Sequence, residues 1–275
     1  MSRTEPLATG SKGQCPDSAA PVVRLRTPAS VRPMEGSSPR IRRDGARRFD
    51  AVLFDLYGTL ISSGDKTRRR GHFQAMAREL GVDPGGFTEG FFDTFDLRVR
   101  GQHGSLEDSI RKVANSLGGS PTEAQVLRAV EIRMEYSAQL MGTCTASLPA
   151  LDALRSAGLR LAVVSDCSDE TPRQWANFPL ATRFEAAIFS CRVGLRKPDP
   201  RIYTLALEAL GLPASRCAFV GDGGSHELTG AREVGLGAFL YRFPEDTAVE
   251  AFRVDGDTQW SGSQLTDLSE LLSSG

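Results

Sequence analysis

Three aspartates, a serine and a lysine occupy comparable places in this chain: each stands at or shortly after the end of a short apolar run. Asp55 closes Ala51-Val52-Leu53-Phe54, and Ser165-Asp166 follows the run Leu159 to Val164. Lys197 lies a few residues beyond Ala186 to Phe189, and Asp222 comes just after Cys217 to Val220. Short apolar runs bounded by glycine and polar residues read as buried strands. In an open parallel sheet, ligands bind in the crevice outside the carboxyl ends of the strands. Four segments therefore deliver polar groups of opposite charge to one edge of one sheet. Singly, each residue has an ordinary role as a turn former, a cap or a solvated charge. The four in sequence define a crevice built for polar chemistry.

The elements that must position them follow from the same pattern. A fifth run, Ala238-Phe239-Leu240-Tyr241, joins the four, and helical patterns lie between them: Ala150 to Ser156, Glu170 to Asn177, Arg201 to Leu210 and Glu227 to Val234. Gly158, Gly211 and Gly235 stand where C-terminal caps belong. Strands alternating with helices of this length predict an α/β fold, a doubly wound, Rossmann-like parallel sheet with helices on both faces. Residues 62–145 break the alternation with four helical patterns and no strand: Lys66 to Leu80, Phe87 to Val99, Leu106 to Leu117 and Pro121 to Leu140. Pro121 stands at the first position of the fourth, a start signal. An inserted α-helical cap over the strand ends is the reading, with residues 49–61 and 146–275 as the core.

Residues 1–48 differ in kind. They are rich in Arg, Pro, Ser and Gly without hydrophobic period, and read as a disordered basic tail. They hold ten of the 33 basic and four of the 34 acidic residues, so the rest of the chain is acidic. The overall net charge of -1 argues against general affinity for nucleic acid or an anionic membrane. No run of about 18 apolar residues offers a membrane span. Five cysteines without a C-x-x-C pair or a secretory signal fit reduced thiols and a cytoplasmic location. Oligomeric state is not readable from this pattern.

From about Ala51 to Tyr241 the chain resembles the haloacid dehalogenase-like hydrolases. The first motif is Phe54-Asp55-Leu56-Tyr57-Gly58-Thr59-Leu60, the second Val163-Val164-Ser165-Asp166, the third Lys197-Pro198-Asp199-Pro200, and the fourth Val220-Gly221-Asp222 through Glu227 to Gly230-Ala231. The helical block sits where that family carries a small helical cap. The resemblance implies that Asp55 attacks a phosphoryl group, or a halide-bearing carbon, to form a covalent aspartyl intermediate. It implies that Asp55, Asp222 and the main-chain carbonyl of Tyr57 hold Mg²⁺, a hard ion suited to carboxylate and carbonyl oxygens. Two carboxylates facing each other across a sheet edge would repel without such a cation. Glu227 stands where the family has an acid holding a metal-bound water, although a solvated first-turn glutamate is the competing reading. Lys197 is expected to pair with Asp55 and offset charge in the transition state, and Ser165 to donate its hydroxyl to the same oxygens. Gly58 and Thr59 shape the turn around the nucleophile. Asp166 stands where the family often has Asn, and is carried as a substrate-side group.

Tyr57 is the departure. Phosphatases of this family place a second Asp there, which protonates the leaving group and then activates water. An aromatic residue here marks the dehalogenases, which use no metal and have Ser where this chain has Asp222. The two motifs point in different directions. The fourth carries more weight, because an unneutralised carboxylate facing Asp55 would raise its pKa. A Mg²⁺-dependent phosphatase of a small, anionic metabolite is the leading expectation. A metal-independent 2-haloacid dehalogenase and a binding protein that keeps the fold without turnover are the alternatives.

In the cap, Arg98, Arg100 and His103 lie in a connection punctuated by Gly101 and Gly104. Either Arg98, Arg100 and His103 meet an anionic substrate, or they are solvated loop charges. Arg68, Arg69 and Arg70 read as a wet helix face. Phe87, Phe91, Phe92 and Phe95 read as cap packing, and His226 as a solvent-facing residue beside Glu227.

Overall fold

The computed structural model describes residues 23–24, 49–244 and 260–272. Seven strands form one sheet: β1 (Val23–Arg24), β2 (Ala51–Phe54), β3 (Arg160–Ser165), β4 (Ala186–Phe189), β5 (Cys217–Gly221), β6 (Gly237–Leu240) and β7 (Ser263–Gln264). Their order is β1-β4-β3-β2-β5-β6-β7, and every pairing is parallel except that of β1 with β4. The first long strand, β2, thus lies centrally, with β3 on one side and β5 on the other. Successive crossovers leave it in opposite directions, so its carboxyl end is the topological switch point at which doubly wound sheets open a crevice.

β2 is buried on both faces, as a parallel strand covered by helices must be. Val52 and Phe54 face a layer with Leu151 and Leu154 of helix α6 (Leu148–Ser156). Ala51 and Leu53 face the opposite layer, with Ile202 and Tyr203 of α9 (Pro200–Leu210) and Leu228 of α10 (Glu227–Val234). Phe54 is in register with both Val163 and Val220. One step further along, Asp55, Asp222 and the end of β3 reach the same edge.

Between β2 and α6 come five helices: α1 (Lys66–Leu80), α2 (Pro84–Asp93), α3 (Phe95–Val99), α4 (Leu106–Ser116) and α5 (Glu123–Gly142). All but α3 share a core of their own, with Phe73, Met76, Phe87, Phe91, Ile110 and Val126. The α/β sheet with an inserted helical cap is therefore the architecture observed. Two details differ from expectation. The helix expected over 87–99 is two, divided at Thr94, whose hydroxyl bonds the Gly90 carbonyl at 2.8 Å and bends the chain as such back-bonding does. The α5 start belongs to Thr122 rather than Pro121: Thr122 and Gln125 form a reciprocal capping box, which satisfies two otherwise free N–H groups.

Helix α7 is also shorter than the pattern, Glu170–Gln174. A 3₁₀ turn then carries Trp175 into the core against Phe184 and Phe189. Strands β1 and β7 are two residues each, too short to leave a periodic signal, and β1 falls inside the stretch read as a tail. The remainder of residues 1–48 lies outside the described residues. Among the described residues, no helix is long and apolar enough to cross a membrane.

Candidate active site

Asp55 leaves β2 with its amide donating to Val220 of β5 at 2.9 Å, so the sheet itself fixes where its carboxylate starts. The chain then turns sharply. Gly58 adopts φ +84, and a Cβ there would lie 2.4 Å from Oδ2 of Asp222. Only a residue without a side chain allows this turn and this approach together. Thr59, wholly buried, donates its hydroxyl to Oδ2 of Asp55 at 3.2 Å.

Lys197 closes the arrangement. Its Nζ lies 2.5 Å from Oδ1 of Asp55 and 2.5 Å from Oε2 of Glu227, with all three side chains buried. Glu227 is 1% exposed, which overturns the reading of a solvated helix-start glutamate. The loop after β5 is shaped around its carboxylate. The Gly223 amide donates to Oε1 at 3.0 Å, and a Cβ on Gly221 would come within 2.2 Å of the same oxygen. Ser225 and His226 both hold positive φ to complete the wrap, backbone that non-glycine residues rarely adopt. His226 is exposed, as expected.

Asp55, Asp222 and Glu227 each bring an oxygen to within 4.8 Å of one another. Burial first, and then the charge of Asp222, push the Asp55 carboxyl up to about 6 against the pull of Lys197. Burial likewise raises Glu227 well above the carboxylate range. Desolvation works against the Lys197 ammonium, but Asp55, Glu227 and Asp166 outweigh it and hold the charge. With Asp166 included, four carboxylates face two cations, Lys197 and Arg196, at this edge. The residue of negative charge and the all-oxygen donor set suit a hard divalent cation.

Asp166 is partly a structural clamp on its neighbour. Its Oδ1 accepts the Lys197 amide at 3.1 Å and its Oδ2 accepts Nε of Arg196 at 3.3 Å, so it anchors the loop that delivers the lysine. Ser165 is wholly buried with its hydroxyl unpaired, and it does not line the cavity described below. The Tyr57 hydroxyl bonds Oγ1 of Thr171 at 2.9 Å, and burial, followed by the nearby Glu170, raises its pKa. A phenol so held is a poor proton donor or acceptor at neutral pH.

A cavity of about 440 Å³ opens between this edge and the cap. Its far wall holds Arg69, Arg70, Arg98 and Arg133 among the rings of Phe73, Phe92 and Tyr136. Arg69 thus faces the cavity, which corrects the reading of a wet helix face at that residue; Arg68 is exposed, and Arg70, at the cavity rim, keeps a side chain 42% exposed that pairs with Glu89. Arg100 and His103 do not line it. Arg100 pairs with Asp96 at 3.0 Å, and the His103 carbonyl accepts from Lys112. Arg98, from the same connection, turns inward instead, 5% exposed, with its guanidinium 4.0 Å from the centre of the Phe91 ring.

Several of these residues escaped the sequence reading, yet helical spacing carried a signal. Arg69 falls on the buried stripe of Phe73, Met76 and Leu80, and Arg133 on that of Val126, Val130 and Ser137. A lone arginine on an apolar stripe marks a face with a polar partner to meet. Arg196 had no such marker. It joins Asp166, Ser225 and the cap residue Asp96.

A family model described as haloacid dehalogenase-like hydrolase matches residues 49–235, more than half of the chain. The phosphoserine phosphatase of Thermus thermophilus is 31% identical over 133 residues, 48% of this chain and 52% of that protein. The chain thus spans about half the length of that relative. Among solved structures, a 2-haloacid dehalogenase from Pseudomonas syringae pv. Tomato superposes with a TM-score of 0.59 at 22% identity, covering 82% of this chain and 98% of that one. A HAD family enzyme from Bacteroides thetaiotaomicron, in a magnesium complex, superposes with a TM-score of 0.56 at 19% identity, covering 73% and 97%. At such identities the structures speak for the fold alone, and the sequence match supplies the family. An aspartate at the switch point, a buried lysine upon it and a matched stretch that runs through all four motifs make this chain a member of the haloacid dehalogenase-like hydrolases.

Proposed function

We propose that the protein is a Mg²⁺-dependent phosphomonoesterase that works through an aspartyl-phosphate on Asp55. The observation that carries the reading is the convergence of Asp55, Asp222 and Glu227 within 4.8 Å, only partly neutralised by Lys197. A metal-free nucleophile has no use for a second and third carboxylate that raise its pKa. Asp55, Asp222 and the Tyr57 carbonyl would hold the cation, with Glu227 beside them. When bound, Mg²⁺ supplies positive charge that draws the phosphoryl group toward Asp55 and keeps that carboxylate ionised.

The chain's own residues do the rest. The Asp55 carboxylate attacks phosphorus, the bond to the ester oxygen breaks, and the leaving oxygen departs with the bond's electron pair and takes its proton from solvent water. Water then attacks the phosphorus of the acyl phosphate and returns Asp55 with inorganic phosphate. Thr59 and Lys197 orient the carboxylate, and the ammonium offsets charge on the transferring oxygens. Asp166 positions Lys197 through the main chain. Ser165, whose buried hydroxyl is unpaired but does not line the cavity, has no substrate contact in this reading.

Phosphate release from a panel of phosphomonoesters, with and without Mg²⁺, tests this. Release that requires Mg²⁺ and disappears in Asp55→Asn is the expected result; release indifferent to EDTA would sink it. One observation favours a second reading, a 2-haloacid dehalogenase: Tyr57 stands where a proton-transferring carboxylate belongs. Chloride release from 2-chloropropionate in the absence of metal would establish it.

A further inference from the structure

The far wall of the cavity has chemistry that the phosphoryl end leaves unused. Arg98 is almost wholly buried, and its Nε has no partner. Its other nitrogens hold Oγ of Ser168 at 3.2 Å and the Phe91 carbonyl at 2.5 Å. Arg133 reaches in from α5 and Arg69 from α1. Among the described residues, the buried carboxylate facing Arg133 and Arg98 is Glu170, which takes Arg133 through Oε1 and leaves Oε2 without a partner. Two guanidinium groups therefore share one carboxylate, and the third, Arg69, donates beside them to the Ser63 carbonyl. Burial and mutual repulsion show in their titration: desolvation and the neighbouring Arg133 and Arg69 bring Arg98 down to about 9, despite Glu170. Desolvation and Arg133 also lower Arg69 and His72.

A buried cluster of like charges is costly unless an anion completes it. Guanidinium is the cation suited to fork onto a carboxylate or phosphate. The rings of Phe73, Phe92 and Tyr136 line the cavity beside this cluster, with Arg133 lying over Phe73 and Tyr136, and offer apolar contact to the middle of a ligand.

We infer that the substrate is a phosphomonoester carrying a second anionic group, a carboxylate or a second phosphate, which docks on Arg69, Arg98 and Arg133 while its phosphoryl end meets Asp55. This rests on the proposed phosphatase reading and adds the substrate class. The second anion then acts as a handle that sets the ester's distance from the nucleophile, so specificity is decided in the cap.

The test compares phenyl phosphate with 3- and 4-carboxyphenyl phosphate and with 1,3-phenylene bisphosphate, all of which have aryl leaving groups. A preference in kcat/KM of tenfold or more for a carboxylated or bisphosphate member over phenyl phosphate is expected, and which of the two is favoured identifies the handle. Arg133→Gln and Arg98→Lys should shrink that ratio at least tenfold, through KM. Arg69→Gln, at a half-buried position on α1, gives the same readout should the buried variants fail to fold. A wild-type ratio near one, or variants that lower all substrates equally and leave the ratio intact, overturns the inference. Calorimetric binding of 3- and 4-carboxyphenylphosphonate against phenylphosphonate separates it from the phosphatase reading. Tighter binding of a carboxylated phosphonate, lost in Arg133→Gln, upholds the cap site even where no ester is hydrolysed, and equal binding of all three refutes it.

Discussion

At the scale of single residues, the site is a balance of buried charge around Asp55. On the proposed reading Asp55→Asn removes the attacking oxygen and should lower phosphate release by about a thousandfold or more, since no neighbouring group would form the same intermediate. Fold and Mg²⁺-independent stability should persist, because the amide keeps the shape and the Lys197 contact. Tyr57 has a different consequence. Its hydroxyl is tied to Thr171 and its pKa is raised by burial and Glu170, so it cannot take the part of a proton shuttle. No histidine lines the cavity among the described residues. Esters with good leaving groups should therefore be turned over far faster than alkyl phosphates, since general acid help is worth about 10²–10⁴-fold. Tyr57→Asp should narrow that gap by raising kcat on an alkyl phosphate by an order of magnitude or more. A plot of log kcat against leaving-group pKa measures it, and an unchanged slope in the variant would refute the account.

Elements act by bringing backbone to where side chains need it. The turn after β2 is packed directly on Asp222, so Gly58→Ala meets two penalties, a positive φ and a Cβ driven into that carboxylate. It should cost about 1–3 kcal/mol in stability by denaturant titration and weaken Mg²⁺ binding measured by calorimetry. A variant with wild-type Mg²⁺ affinity would show that the turn does not place Asp222. The junction between α5 and α7 is ionic. Burial works to raise Glu170, but Arg133 and Arg98 outweigh it and hold the carboxyl at about 2 against an ordinary 4.5. The folded protein then binds fewer protons here than the unfolded chain. The stabilisation from this group is complete above pH 4.5 and is lost as the pH falls through about 2. Its size is about 3 kcal/mol by linkage. Glu170→Gln should lower the melting temperature at pH 7 and flatten its fall over that acid range, and a pH series of thermal melts reads both.

For the molecule as a whole, the proposed cation site would couple metal binding to stability. If Asp55, Asp222 and Glu227 bind Mg²⁺ only when folded, saturation at a hundredfold over the dissociation constant adds about 2.7 kcal/mol. For a chain of this size that corresponds to a rise of about 5–10 °C in melting temperature. Asp222→Asn should remove most of the rise. A wild-type melt unmoved by Mg²⁺ would leave the acidic cluster without its proposed purpose. The same logic places the cap. Its helices have their own core and meet the sheet through polar links, Arg133 with Glu170 and Arg196 with Asp96. The cavity is thus bounded by two bodies with separate cores, the arrangement that lets one strand edge serve different ligands.

The sequence by itself determined the sheet's central strands and the line of residues at their ends. Buried parallel strands must be apolar throughout, and the polar residue after each one is the first free to face solvent or ligand. Asp55, Asp166, Lys197 and Asp222, which line the cavity, are legible for that reason, and so is the helical character of the cap, though not the break at Thr94. Only the tertiary structure decided the rest. Glu227, which the resemblance marks as an acid at the metal end, keeps a surface helix start as its competing reading until the loop from Gly221 to His226 closes over it. Arg69, Arg98 and Arg133 are separated by dozens of residues and converge only because α1 packs on α5 and α2 carries α3 beside them. Arg100 and His103, neighbours of Arg98 in the chain, point elsewhere. Local sequence sets which way a strand or helix repeats; the packing of distant elements sets which charges share a cavity, because Coulomb interaction depends on separation in space and on burial.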